Sequence, residues 1–268
     1  MKEFPLDIAL RGRYLVFHSP ELEKKGITLV FTTRIWLPDG GPTYCNFGFF
    51  GKGGAEVHRS ELCAALGLNP RKLTSPYQTH SPSVFEVDKQ HAGRGGLDPN
   101  TRIPQTDGLV TSLEEVPLVA LSADCVPVIL FDEEKGTVGA LHAGWKGILE
   151  GMVENVGRIL EKKGSRLSAV KVVMGPCIGP ECYEVGEELA ARLSGDESEA
   201  VVHRNQKHFI DLRKWCEVRF LSVGFSKKNI YFANMCVSCN KHLFYSYRAD
   251  KAQRGSNAAI IALRKAEK

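Results

Sequence analysis

The residues best equipped for chemistry lie at the two ends of one short stretch. Asp124 and Cys125 stand just before the apolar run Val126 to Phe131, and His142 stands just after the run Thr137 to Leu141. Asp132-Glu133-Glu134-Lys135-Gly136 separates the runs as an acidic turn, ending on a glycine free to take positive φ. In an antiparallel pair joined by a tight turn, the start of the first strand lies beside the end of the second. Cys125 and His142 are therefore expected to be spatial neighbours. A thiol and an imidazole at one sheet edge suit a metal site or a Cys/His nucleophile pair. They also suit a buried cysteine acting as a small hydrophobe beside a hydrogen-bonded histidine. A zinc site that keeps its fourth position open for water or substrate needs three protein ligands. His80, in the polar patch Gln78-Thr79-His80-Ser81 ahead of a new strand, is the first candidate for the third, and His18 is the second. His58 falls within a helix, and His91, His203, His208 and His242 fall in polar segments that read as exposed.

Three further motifs carry weaker signals. Gly144-Trp145-Lys146-Gly147 opens a helix, where free N–H groups, the helix dipole and Lys146 suit an anion; a plain strand-to-helix turn needs the same glycines. The loop Gly175-Pro176-Cys177-Ile178-Gly179-Pro180 ends another strand and is equally ambiguous. Cys236-x-x-Cys239 has the spacing of a zinc knuckle but no second such pair. A site made with Cys177 and Cys182 is conceivable, yet we read all four cysteines as core or loop thiols.

The elements that must position these groups are mostly strands. Tyr14 to His18, Ile27 to Thr33, Ser83 to Val87, Asp107 to Thr111, Pro117 to Ala123, Ala169 to Met174, Ile230 to Ala233, Leu243 to Tyr247 and Ala258 to Leu263 read as strands alongside the two apolar runs. Val126 to Phe131 is apolar enough for a strand buried on both faces. Ala55 to Leu66 reads as a short amphipathic helix with Val57, Leu62, Ala65 and Leu66 inward, ended by Gly67. Trp145 to Lys163 reads as one long helix, and Gly186 to Leu193 and Leu212 to Val223 as shorter ones. Trp36 to Gly54 is expected as a long functional loop, and Asp88 to Thr106 as an exposed one. No linker divides the 268 residues, 43% of which are hydrophobic. One α+β domain of mixed β-sheets flanked by helices over residues 1–268 is expected.

Composition excludes several function classes. The net charge of +4 is scattered, and the pairs Lys162-Lys163 and Lys227-Lys228 are too short for a nucleic-acid stripe. The N-terminal residues lack the apolar core of a signal peptide, and no apolar run approaches the roughly 18 residues of a membrane span. A cytoplasmic protein without membrane or nucleic-acid partners is expected. The eight cysteines are irregularly spaced and read as thiols rather than a disulfide framework. No sequence signal sets the oligomeric state.

The motifs carry a resemblance. Thr32-Thr33-Arg34, Asn46-Phe47-Gly48, Gln78-Thr79-His80, Thr106-Asp107-Gly108-Leu109-Val110-Thr111, Ser122-Ala123-Asp124-Cys125-Val126-Pro127, His142-Ala143-Gly144-Trp145-Lys146-Gly147, Gly175-Pro176-Cys177-Ile178-Gly179, Cys182-Tyr183-Glu184-Val185-Gly186 and Phe244-Tyr245-Ser246-Tyr247-Arg248 run in order over nearly the whole chain. By these segments the chain resembles the YfiH/laccase-domain family, also described as multicopper polyphenol oxidase or purine nucleoside phosphorylase proteins. The resemblance implies a YfiH-like fold and zinc held by His80, Cys125 and His142. It implies purine nucleoside and phosphate as substrates: phosphorolysis of adenosine, inosine, guanosine and methylthioadenosine, and deamination of adenosine. It places Arg34, Asn46, Arg59, Gln78, Lys146 and Arg248 at the substrate. This chain departs from the family pattern at His58-Arg59, where Asn-Arg is usual, and at Lys146, where arginine is usual. It also departs at Ile35-Trp36-Leu37-Pro38, in place of a glycine-rich run, and at Arg248-Ala249, in place of Arg-Arg.

On this reading the metal activates water for deamination, with Asp124 or Asp107 as proton shuttle and Cys125 and His142 at the reacting centre. Arg59, Arg248 and Lys146 are candidate phosphate holders, and Phe47, Tyr183 or Phe244 candidate base-stacking partners. Two alternatives stand beside it. One is a hydrolase with Cys125 as nucleophile and His142 as base, acting on cell-wall precursors in peptidoglycan editing. The other is a copper-dependent polyphenol oxidase; but a laccase-type mechanism draws on many histidines in HxH pairs, and this chain has 8 His and no HxH.

Overall fold

The computed structural model describes residues 2–50, 54–251 and 255–265. Two large sheets lie face to face at its centre. The first has seven strands in the order Lys2–Glu3, Ile230–Phe232, Lys171–Met174, Val126–Asp132, Thr137–Ala143, Gly108–Thr111 and Val84–Glu86. Its central pairings are antiparallel, and parallel pairs close both edges. The second sheet runs Asp7–Arg11, Tyr14–His18, Ile27–Trp36, Asn257–Leu263 and Leu118–Ser122, with Thr43–Tyr44 added beside Ile27–Trp36. A small third sheet joins Glu184–Val185, Lys207–Ile210 and Val201–Arg204.

Strand alternation builds the layers. Val126, Val128 and Leu130 point to one side and pack with Ile148, Met152, Val156, Trp215 and Phe220 of the helices. Ile129 and Phe131 point to the other side and meet Leu29, Phe31, Ala120 and Ile261 of the second sheet. The far face of that sheet, with Val16, Val30 and Ile260, packs on Leu62 and Cys63 of the helix Ala55–Ala65 and on Leu66, which caps it. The result is helix, sheet, sheet, helix. A strand sandwiched on both faces must be apolar throughout, and all seven residues of Val126–Asp132 are buried. The architecture is α+β, a single domain of mixed sheets flanked by helices.

Four local expectations need correction. The long helix is two, Trp145–Leu149 and Met152–Lys162, because Gly151 at φ +98° turns the chain between them. His142 lies within its strand, paired with Pro127, rather than after it. Leu243 to Tyr247 forms no strand. Its backbone is satisfied partly by turn bonds to the Asn240 carbonyl and partly by side chains: Asn257 bonds both the N–H and the carbonyl of Tyr245, and Arg34 donates to the carbonyl of Phe244. The helix Ala55–Ala65 turns Val57 outward and His58 and Arg59 inward, so its buried face is partly polar. Part of the loop expected over Trp36 to Gly54 lies outside the described residues.

Candidate functional site

The pairing of Val126–Asp132 with Thr137–Ala143 sets His142 opposite Pro127 and Ala143 opposite Val126. Cys125, one residue before the first strand, is thereby carried to the His142 side chain. His80 arrives from the loop ahead of Val84–Glu86. One ring nitrogen from each histidine and the Cys125 Sγ all lie within 4.8 Å of one another. The two imidazole rings meet edge to face with centroids 4.8 Å apart. His142 is buried, Cys125 half-buried and His80 exposed, so the group opens to solvent on the His80 side.

Asp107 organises this arrangement. It is fully buried, and its Oδ1 accepts a 2.8 Å hydrogen bond from His142 Nδ1. The same carboxylate accepts the backbone N–H groups of Thr79, His80 and Ser81, at 2.9, 2.9 and 2.8 Å, and the Ser81 hydroxyl. Charge-assisted bonds of this kind contribute about 1.5–3 kcal/mol each. They hold His80 at φ +63°, a left-handed backbone that its own side chain does not favour. Binding His142 through Nδ1 leaves Nε2 for a cation, the usual device for orienting a metal-binding imidazole. Burial alone would raise the Asp107 pKa, but His142 and the loop N–H groups outweigh it and hold the carboxyl at about 2. Asp107 thus sits behind the two histidines, with both carboxylate oxygens engaged by His142 and the loop 79–81.

The donor set fits a cation. Burial pushes the Cys125 thiol up, yet His142 and His80 overcome it and bring it down to about 6, which favours the thiolate a metal requires. Burial works against charge on His142 too, but Cys125 and Asp107 raise it. Gly144 explains its own presence: a Cβ there would lie 3.0 Å from the His80 ring and 3.1 Å from Cys125 Sγ. That glycine makes room for the converging side chains. The helix it opens has five residues, and Lys146 lies exposed above the Trp145 ring rather than in a phosphate cradle.

The group forms part of the wall of a cleft of about 840 Å³. Phe49, Phe50, Tyr77 and Tyr247 supply aromatic surface, and Arg102 supplies a guanidinium, 4.5 Å from the Tyr77 ring. Sequence reasoning missed Arg102, an isolated cation in a segment read as exposed loop. The aromatics named from the sequence are elsewhere: Phe47 and Phe244 are core residues, and Tyr183 packs near the Arg248 guanidinium. Gln78 lines the cleft but spends both ends of its amide on the Leu121 backbone. Asn46 ties its loop together through Gly48, Phe50 and Ser256.

The remaining charged candidates hold the frame. Arg59 is buried and donates to the carbonyls of Phe47, Gly95 and Gly96. Arg34 is buried between the Tyr44 and Tyr245 rings and donates to the carbonyl of Lys241 and to Asp250. Arg248 donates to the carbonyls of Cys182 and Glu184. Asp124, at φ +108°, accepts from the Ser246 hydroxyl and the Arg248 N–H, and so fixes the segment that presents Tyr247 to the cleft. Its carboxyl is engaged there, not free at the reacting centre; burial raises its pKa. His18, the second candidate ligand, pairs with Glu23 and Arg11.

Comparison with known proteins agrees with this architecture. A family model described as multi-copper polyphenol oxidoreductase laccase matches residues 54–264. The chain is 31% identical over 198 residues to the purine nucleoside phosphorylase YlmD of Bacillus subtilis, covering 70% of each protein. It is 30% identical over 195 residues to an adenosine deaminase from an unknown prokaryotic organism, covering 71% of this chain and 74% of that protein. The crystal structure of YlmD from Geobacillus stearothermophilus matches with a TM-score of 0.86 and 26% identity, over 97% of this chain and 100% of that one. The Bacillus licheniformis hypothetical protein YfiH has the same fold, with a TM-score of 0.86 at 24% identity. No helix among the described residues is long and apolar enough to cross a membrane. The chain belongs to the multi-copper polyphenol oxidoreductase laccase family, together with its YfiH and YlmD relatives.

Proposed function

We propose that the protein is a zinc-dependent purine nucleoside enzyme. It would phosphorolyse adenosine, inosine, guanosine or methylthioadenosine, and deaminate adenosine. The observation that carries this reading is the convergence of His80, Cys125 and His142 on an aromatic-walled cleft. Relatives named purine nucleoside phosphorylase and adenosine deaminase support it. Three protein ligands leave one position open, and zinc in such a site supplies Lewis acidity and activates water near neutral pH.

The chain's own groups do the rest. Asp107 fixes the tautomer of His142 and the backbone that carries His80. Phe49, Phe50, Tyr77 and Tyr247 offer faces on which a purine ring stacks, with the ribose directed toward the histidines. Arg102 takes the phosphate: it is the arginine that lines the cleft, and although its Nε donates to the Pro99 carbonyl, no carboxylate among the described residues pairs with it. Closure of the cleft by a bound purine excludes bulk water and strengthens the Arg102–phosphate attraction.

The test is product analysis of zinc-replete protein with adenosine, with and without phosphate. Phosphate-dependent adenine release or inosine formation is expected. No product from zinc-replete protein would overturn the reading.

A second reading has one observation in its favour. The lowered pKa of Cys125 beside His142 is also that of a Cys/His nucleophile pair, which would make the protein a hydrolase of cell-wall precursors. A thiol probe separates the two: a nucleophile is labelled with metal in place, whereas a zinc thiolate is protected until the metal is removed. Copper on the same three ligands is the remaining variant. Among the described residues only two groups of three or more metal-capable side chains occur, and only this one contains histidine. Such a donor set does not supply the several coppers of a laccase. Oxygen uptake with a phenol by copper-loaded protein would show otherwise.

A further inference from the structure

A second group of metal-capable side chains lies apart from the cleft, where two loops meet. Glu181 and Cys182 follow the strand Lys171–Met174, and Cys236 and Cys239 follow the strand Ile230–Phe232. These strands are parallel neighbours, so their loops leave the sheet together. The contact continues past the strands: Val237 N–H donates to the carbonyl of Cys177, and Cys177 N–H to that of Met235. One ligand atom from each of Glu181, Cys182, Cys236 and Cys239 lies within 4.8 Å of all the others. Cys177, grouped with these cysteines by sequence, is buried in the core, and Glu181 takes the fourth place.

We propose that Glu181, Cys182, Cys236 and Cys239 form a second, structural zinc site. Three features support it. Cys182 Sγ and Cys239 Sγ are 3.4 Å apart, and Glu181 Oε1 is 3.6 Å from Cys239 Sγ. Ligands on one tetrahedral zinc with Zn–S bonds near 2.3 Å stand about 3.8 Å apart. Cys236 Sγ accepts the N–H groups of Gly179, at 3.2 Å, and of Cys239, at 3.5 Å. Donors of this kind stabilise a thiolate and orient its remaining lone pairs, as outer-shell partners do at metal sites. Finally, the donors are three thiols and one carboxylate. Thiolates select zinc, copper(I) or iron–sulfur clusters, and four protein donors in a closed tetrahedral set mark a structural rather than a catalytic zinc.

The ion would tie the loop 177–182 to the loop 236–239. The first of these adjoins the cleft's support. Ile178 N–H donates to the Asp124 carbonyl, and the Cys182 carbonyl holds the Arg248 guanidinium. Zinc at this group therefore clamps the far side of the segment from Asp124 to Cys125, without touching substrate.

The test is metal content of the reduced, full-length protein by elemental analysis, alongside its folding by circular dichroism. About two zinc per chain are expected in the wild type, and about one in Cys239→Ser, with adenosine turnover retained within about twofold. Zinc K-edge absorption of the wild type keeps the proposal falsifiable should that variant fail to fold. The cleft group offers one sulfur and this group three, so about two sulfurs per zinc are expected on average. One zinc per chain with about one sulfur would overturn the proposal. So would a Cys182–Cys239 disulfide in purified, zinc-supplemented protein.

Discussion

The two metal-capable groups of this protein are built from overlapping residue types and differ in almost everything else. At the cleft, two imidazoles and one thiol converge beside a buried carboxylate, Asp107, that accepts six hydrogen bonds from His142 and the loop 79–81. One side opens into a cavity lined by aromatic rings. At the loop junction, three thiols and a carboxylate face one another with backbone N–H groups behind them. The difference teaches where reactivity comes from. Three ligands on a carboxylate-backed frame would leave a coordination position beside the cleft. Four mutually facing ligands leave none, and their use is mechanical.

Removing one ligand from the cleft group has the largest expected effect. His80→Ala should lower adenosine turnover by about a thousandfold or more and remove the cleft zinc, as metal analysis and product formation will show. Asp107→Asn keeps the volume but trades an acceptor oxygen for an amide that confronts the loop N–H groups. Zinc affinity in a chelator competition should fall by about 10–100-fold. Arg102→Ala should raise KM for phosphate about tenfold in the phosphorolysis assay, with little change in Tm. Arg59→Met sets the opposite case: it strands the carbonyls of Phe47, Gly95 and Gly96, costing about 3 kcal/mol, and should lower Tm by roughly 6–12 °C. KM for phosphate should change by less than about twofold, the smallest effect of the series. Equal KM changes in the two arginine variants would erase the distinction between them.

Much of the frame is readable in the sequence because it follows from period and pairing. The apolar run after Cys125, the acidic turn and the run before His142 can form little other than a buried hairpin, and that hairpin brings the two side chains together. His80 reaches them through a loop whose path depends on Asp107, a contact no local pattern encodes. The arginines show the limit most clearly. A guanidinium reads alike whether it lines a cleft or is buried among backbone carbonyls, and only the fold sets Arg102 in the cleft wall apart from Arg34, Arg59 and Arg248. Gly151 could be noticed only as a glycine within a good helical pattern, and the segment Leu243 to Tyr247 satisfies its backbone partly through the side chains of Asn257 and the distant Arg34. The thiol group is legible only in part: the sequence offers Cys182, Cys236 and Cys239, but not Glu181 in place of Cys177, because the loops meet through parallel pairing of distant strands.

The most direct test of the central claim follows zinc content and adenosine turnover together in His80→Ala and Cys239→Ser. The account predicts that each variant loses about one zinc per chain, but that only His80→Ala loses turnover. Adenosine turnover that survives in His80→Ala, after its cleft zinc is gone, would contradict it.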